Sequence, residues 1–453
     1  MTVTQTKSVK GGADMTEGAI TPQLLRFAIP LAIGLLFQQL YNTVDAMIVG
    51  KFVGKAALGA VGSTASIINM LIALFAGLST GAGVVISQAY GAKDDKRLHN
   101  AIHTTISLTF ILSIIATVAG ILIVDPMLRM MDTPDDVMVE ASEYLTIYFS
   151  GAAGLLFYNM GSGILRAVGD STRPLYFLIF SAITNVLFDL LFVVTFKLGV
   201  AGAAYATIIS ELLSAILVML VLTFSKTSYA IKWKSLNFDL RSVKQIFAIG
   251  FPSSIQQALT SFSNVFVQSY INFFQTDCIA GYASYNKLDA FILIPVQSLA
   301  LASSTFVGQN YGAGKLKRGR EGVKKTLILS IEITVIATAL VMIFSGTLLG
   351  LFNDDPAVIE YGKRFVMIIS PFYFTICFNQ IFAGALRGIG KSTAPMIIML
   401  TSFVAFRQLF LYCNKIFFSH SFLGTALAYP LGWVLCSILM MITYKLSALG
   451  KAK

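Results

Sequence analysis

Blocks of about 20 apolar residues, separated by short polar loops, recur along the chain, and each is long enough to cross a hydrocarbon core as a helix. The blocks lack the strict alternation of apolar and polar positions that a membrane barrel needs. Lipid offers an unpaired backbone no hydrogen-bond partner, so the blocks must pair their backbone groups internally, as helices. Helices are therefore expected at 24–47, 56–86, 98–124, 141–164, 174–196, 200–224, 243–273, 279–307, 323–350, 357–384, 395–417 and 422–446. The fold class is an all-α polytopic membrane protein with twelve transmembrane helices.

The pattern repeats internally. Gln88-Ala-Tyr-Gly-Ala-Lys follows the second block, and Gln309-Asn-Tyr-Gly-Ala-Gly follows the eighth, 221 positions later. Gly163-Ile-Leu-Arg-Ala-Val-Gly-Asp-Ser-Thr-Arg-Pro174 is answered at the same offset by Gly384-Ala-Leu-Arg-Gly-Ile-Gly-Lys-Ser-Thr-Ala-Pro395. Pro30 and Asn42 correspond to Pro252 and Asn264 at an offset of 222. Each half has six helices, an even number, so both enter the membrane in the same sense as parallel repeats about an axis along its normal. The expected units are a tail at 1–23, an N-lobe at 24–224, a linker at 225–242, a C-lobe at 243–446 and a tail at 447–453. In the second repeated element the glycines suit a tight turn, Ser and Thr suit a cap for the next helix, and Pro suits its first turn. Arg166 and Arg387 are expected at the lipid interface, as anchors.

Charge changes the picture by giving an orientation. Of 33 Lys and Arg residues, most fall in the tails and even-numbered loops, including the run Lys315, Lys317, Arg318, Arg320, Lys324 and Lys325. The opposite loops carry Asp132, Asp135, Asp136, Asp354 and Asp355. Basic loops stay cytoplasmic, so both termini are expected inside. The net charge of +11 then follows from topology and calls for no nucleic acid partner. The polar segment through Met15 lacks the apolar core of a cleaved signal peptide.

Cys278, Cys377, Cys413 and Cys436 lack metal-ligand or disulfide spacing and read as packing residues. His99, His103 and His420 are too scattered for a metal site, and no Ser-His-Asp or Cys-His set lies within the spans, which argues against a membrane enzyme. No cofactor is expected.

Asp45, Asp189, Glu211, Asp289 and Glu332 lie within the spans, joined by Lys287 and Arg407. Each carries an insertion cost of about 2.5–3.5 kcal/mol and needs a reason to be there. Asn185 and Asp189 are four apart and share a helix face; Thr207 follows on the next helix, and Asp45 sits one turn from Asn42. Two carboxylates, an amide oxygen and a hydroxyl are hard ligands able to hold Na+ or to exchange H+. The repeat offsets place Val267, Phe406 and Phe410 opposite Asp45, Asn185 and Asp189, so the scaffold is duplicated while the acids are not. That asymmetry favours ion coupling over structural pairing with Arg407 or Lys287.

At these residues the sequence resembles the multidrug and toxic compound extrusion (MATE) family, over roughly 24–446. The resemblance rests on the two six-helix halves, on Asn42-Thr-Val-Asp-Ala-Met-Ile-Val-Gly50 and Ala57-Leu-Gly-Ala-Val-Gly62, and on both repeated elements. It implies a V-shaped pair of lobes around a cavity that opens alternately to each side. It also implies export of small amphipathic or cationic compounds against Na+ or H+, with no obligate protein partner. The DinF-like branch places its cation on residues matching Asp45, Asn185, Asp189 and Thr207. Acids of the NorM-like branch on helices seven and ten are replaced here by Gln256 and Gln257, and by Asn379 and Gln380. Gln38, Asn42, Gln256, Asn264 and Asp289 are the candidate cavity residues. The alternative within transport is a flippase for a lipid-linked saccharide, for which the interior supplies only Lys287 and Arg407 as cations.

Overall fold

The computed structural model describes residues 12–53, 55–131 and 133–452, and for 46, 49, 55–63, 66, 135 and 136 the backbone alone. Asp132, the first eleven residues of the N-terminal tail and Lys453 lie outside the described residues, as do the side chains of Asp135, Asp136 and the 57–62 motif. Among the described residues there are no strands.

Among the described residues, twelve spans follow in order. The first three are α1 (Ile20–Phe52), α2 (Lys55–Gly91) and α3 (Asp95–Met130). The fourth, α4, is two segments, Asp135–Ser150 and Ala152–Ala167; α5 is Thr172–Asp189 prolonged by a π turn at Leu190–Thr195; α6 is Gly199–Phe224. The second half begins with α7 (Leu240–Ile271), α8 (Thr276–Gly312) and α9 (Leu316–Ile343). Then α10 is Pro356–Ile369 and Tyr373–Gly388 joined by a 3-10 turn at Ser370–Phe372. Thr393–Leu400 and Arg407–Phe417 form α11 around a π turn at Thr401–Phe406, and α12 is Phe422–Leu446.

Among the described residues, ten spans are long and apolar enough to cross a membrane, counting α2 from Ile67. The other two depart for identifiable reasons. Gly151 divides α4 into two 16-residue segments, and α7 is 32 residues long but carries Ser253, Ser254, Gln256, Gln257, Ser263 and Asn264. Several helices outrun the expected limits by a turn, because their ends continue beyond the apolar block. The helix expected at 323–350 instead breaks at Phe344 and resumes as a short segment, Ser345–Gly350. Pro371 breaks α10, since proline supplies no N–H to the helix.

The repeat is visible in backbone geometry. Gly169 and Gly390 both adopt left-handed conformations, φ +86° and +84°. Each closes its helix with a Schellman pair: the amides of Gly169 and Asp170 donate to Arg166 and Leu165, and those of Gly390 and Lys391 to Arg387 and Leu386. Lys93 and Gly314 are matched in the same way, at φ +54° and +71°. The serine caps are not formed. Ser171 and Ser392 hold helical backbone angles and make no side-chain cap bond. Asp170 caps α5 in their place, accepting from the amides of Thr172 and Arg173 at 3.1 Å.

The halves exchange helix ends. Leu24, Phe27, Ala28 and Leu31 of α1 pack into a core with Leu299, Phe306, Ile381 and Leu386 of the C-half. Ile246 and Ile249 of α7 pack with Phe75, Leu78 and Val85 of the N-half. Backbones touch where α7 passes α2: a Cβ on Gly81 would lie 2.4 Å from the Ile246 carbonyl oxygen. At the same end, a Cβ on Gly91 would lie 1.9 Å from the Gln309 carbonyl oxygen, and one on Gly312 would lie 1.9 Å from that of Gln88. The two glutamines also reach across reciprocally, Gln88 Nε2 donating to Gly388 O at 2.9 Å and Gln309 Nε2 to Ala167 O at 3.0 Å. Residues 13–18 seal this seam as a strap. Met15 N donates to Gln309 Oε1 at 2.9 Å, and Lys315 and Arg318 bond its carbonyls.

The segment between the halves is docked on α3. Lys232 N donates to His103 Nε2 at 2.9 Å, and Asn237 pairs with Asn100 and receives from Ser107.

Candidate functional site

Asp45 enters the site from α1, Asn185 and Asp189 from α5, and Thr207 from α6. The i, i+4 spacing on α5 puts Asn185 and Asp189 on one face, and both are buried, at 3% and 0% exposure. Asn185 Nδ2 points toward Thr207 Oγ1 at 3.4 Å, while Thr207 Oγ1 donates to Ala203 O at 3.0 Å. The carboxyls of Asp45 and Asp189 are near enough to interact electrostatically. The four residues expected to form one site are thus brought together.

Four of their oxygens lack donors. Asp45 Oδ1, Asn185 Oδ1 and both carboxylate oxygens of Asp189 are buried without a hydrogen-bond donor. Buried acceptors are normally satisfied, and two facing carboxylates repel each other. A proton or a hard cation removes both penalties at once, so the residues present fit Na+ or H+. Neither intramembrane base compensates the pair. Lys287 lies 5.6 Å from the Phe352 ring centroid, and Arg407 donates to Ser263 and Asn264.

One turn along α6 from Thr207 stands Glu211, within electrostatic reach of Tyr41 on α1 and of Tyr144, Tyr148 and Tyr158 on α4. Tyr144 and Tyr148 stack with centroids 6.4 Å apart. Close approach of α4 makes this possible, for a Cβ on Gly154 would lie 2.9 Å from Leu212 N. The sequence marks Glu211 as an intramembrane acid; its four-residue spacing from Thr207 was the available signal for its place beside the acid pair.

The candidate cavity residues divide. Asn42 and Asn264 are exposed on α1 and α7, and Gln38 is half-buried. Gln256 is turned into the packing, its Nε2 against Met399 Sδ at 2.7 Å. Asp289 is held by the hydroxyls of Tyr373 and Tyr285, which also bond each other at 3.0 Å. On α10, Asn379 is consumed by Trp433 O and Ser437 of α12. Arg166 lines a cavity between α2, α4 and α8 with Ser79, Ser87 and Ser304.

A family profile, MatE, matches residues 30–191 and 252–412, one match in each half. The chain is 28% identical over 403 residues to the probable multidrug resistance protein YpnP of Bacillus subtilis (strain 168), covering 88% of this chain and 89% of that protein. It is 30% identical over 385 residues to the probable multidrug resistance protein YoeA of the same strain, covering 83% and 82%. The fold is that of a solved outward-facing conformation of a multidrug resistance MATE family transporter of the MOP superfamily. The TM-score is 0.91 over 97% of this chain and 99% of that one, at 24% identity.

Proposed function

Since the chain belongs to the MATE family of membrane transporters, we propose that it is a secondary active multidrug exporter, which antiports amphipathic and cationic compounds against Na+ or H+ by alternating access. The observation that carries the coupling is the set of buried, donorless oxygens on Asp45, Asn185 and Asp189.

The coupling ion binds between Asp45 on α1 and the pair on α5, with Thr207 Oγ1 available beside Asn185. Binding cancels the carboxylate repulsion and draws α1 toward α5 and α6. Pro30 interrupts the hydrogen-bond ladder of α1 and is the natural pivot. Asn42, one turn from Asp45, moves with it and alters the cleft wall that the substrate occupies. With both termini cytoplasmic, the seam at Gln88, Gln309 and the strap closes the cytoplasmic side, and the cleft opens outward. Each elementary charge moving inward across 100 mV supplies about 2.3 kcal/mol.

Competition between ion and substrate tests this reading. Ethidium affinity of the purified protein is expected to fall about tenfold or more as either Na+ or H+ activity is raised. Asp189→Asn removes that dependence. An ethidium affinity indifferent to both ions in the unsubstituted protein contradicts antiport through this site.

A further inference from the structure

The N-lobe acids have no counterpart in the C-lobe, and what stands there carries the opposite charge. Arg407 follows the π turn of α11 and is 3% exposed. Its Nη2 donates to Ser263 Oγ at 2.8 Å and to Asn264 Oδ1 at 2.9 Å, and its guanidinium lies 5.0 Å from the Tyr429 ring centroid. Its Nε is buried with no acceptor. No ion pair found among the described residues includes Arg407. Of the intramembrane acids of this lobe, Asp289 is engaged by Tyr373 and Tyr285, and Glu332 is exposed. A guanidinium stays protonated, so this is a fixed positive charge within a span without a carboxylate to balance it.

Its surroundings do not complete it. Ser263 Oγ already donates to Phe403 O at 2.8 Å and receives from Gln408 Nε2 at 3.0 Å. Tyr429 offers a ring face, and its hydroxyl bonds that of Tyr282. Asn264, the residue through which the guanidinium reaches the surface, is exposed, as is its repeat partner Asn42. Both lie about three turns past Pro30 and Pro252. On α5 the position equivalent to Arg407 is Val186, next to Asn185. Arg407 thus lies three residues, under one turn, from Phe410, the position that matches Asp189, and its charge is of opposite sign.

We propose that Arg407, with Asn264, forms a subsite for a carboxylate group of the substrate, so that the protein selects zwitterions in which a cationic end faces the N-lobe acids and an anionic end meets the guanidinium. A guanidinium binds a carboxylate through charge-assisted hydrogen bonds; here Nε–H is free, and a carboxylate that also bonds Nη2 takes the place of Asn264 Oδ1. As a statement about transported substrates, the proposal rests on the exporter reading given above.

The test compares rhodamine B, which carries a carboxylate, with its ethyl ester, which keeps the cation and loses the anion. Binding to the purified full-length protein is read by fluorescence anisotropy at neutral pH. The unsubstituted protein is expected to bind the zwitterion about tenfold more tightly than the ester, the scale of one charge-assisted pair. Arg407→Gln brings the ratio close to one. Asn264→Asp gives Arg407 an internal counter-ion, so it also brings the ratio close to one without lowering the melting temperature; it decides the matter where Arg407→Gln does not fold. A ratio of one or less in the unsubstituted protein, or a ratio that Asn264→Asp leaves intact, overturns the subsite. Gradient-driven movement of the ester into vesicles tests the exporter reading separately. If neither dye is transported while the binding ratios behave as expected, that reading falls and the subsite stands.

Discussion

Asp189 and His103 are both fully buried polar residues, and their surroundings separate their roles. His103 is satisfied, with Nε2 accepting from Lys232 N and Nδ1 donating to His99 O at 2.8 Å, which fixes one neutral tautomer. Neither oxygen of Asp189 receives a hydrogen bond. A group kept in such an unfavourable state is stabilised by what it binds, and removing it exchanges function for stability. Asp189→Asn is therefore expected to melt higher than the unsubstituted protein in the absence of the coupling ion. It also loses the stabilisation that saturating ion confers, which is about 2.7 kcal/mol at one hundred times Kd. Thermal scanning in detergent with and without Na+, and at two pH values, checks both. The Asn185 and Asp189 pairing was legible because helical spacing alone puts them on one face. Gln256 was not, since its contact with Met399 depends on how α7 packs against α11. Arg407 was visible as an intramembrane charge, but its lack of a counter-ion is a property of the assembled lobe.

At the scale of elements, the repeated turns were legible in outline and partly misassigned in detail. Their glycines mark the left-handed positions at Gly169 and Gly390, while the capping falls to Asp170 and not to the serines. The partners of Gln88 and Gln309 were out of reach of local pattern, because each bonds a carbonyl in the other half of the chain. These reciprocal bonds must break for the halves to part at the terminal end. Replacing both glutamines by Ala is expected to shift the population toward the alternative state, by roughly 1 kcal/mol per lost bond. Spin-label distances across that seam lengthen if this is right. The strap adds a pH signature. Burial favours protonation of Asp14, but the Thr16 hydroxyl and amide, with Lys93 and Lys315 nearby, outweigh it and hold the carboxyl below its usual range. A lowered pKa stabilises the docked form above the unfolded value and loses that contribution as pH falls through the folded one. Hydrogen-exchange protection of the Met15 and Thr16 amides is thus expected to persist from neutral pH to about 5 and to fall below about 4. Protection that collapses between pH 7 and 6 contradicts this assignment.

Across the whole molecule, twofold repetition builds the frame and its violations supply the chemistry. Helices α1 and α7 begin in the opposite half's packing and end in their own, so the two lobes are joined at one end and free to separate at the other. This frame was readable from the offsets of 221 and 222 and from the even helix count, because bilayer thickness and repeat length constrain the whole chain at once. The exchange of helix ends was not, since hydropathy does not record which half a helix packs against. The central claim is that the unduplicated acids convert an ion gradient into uphill export. It is tested most directly by ethidium movement in proteoliposomes under an imposed Na+ gradient and, separately, an imposed H+ gradient. The unsubstituted protein is expected to move dye against its own gradient under at least one of the two, and Asp45→Asn and Asp189→Asn, reconstituted at equal density, under neither. Uphill transport by either variant at the unsubstituted rate contradicts the account.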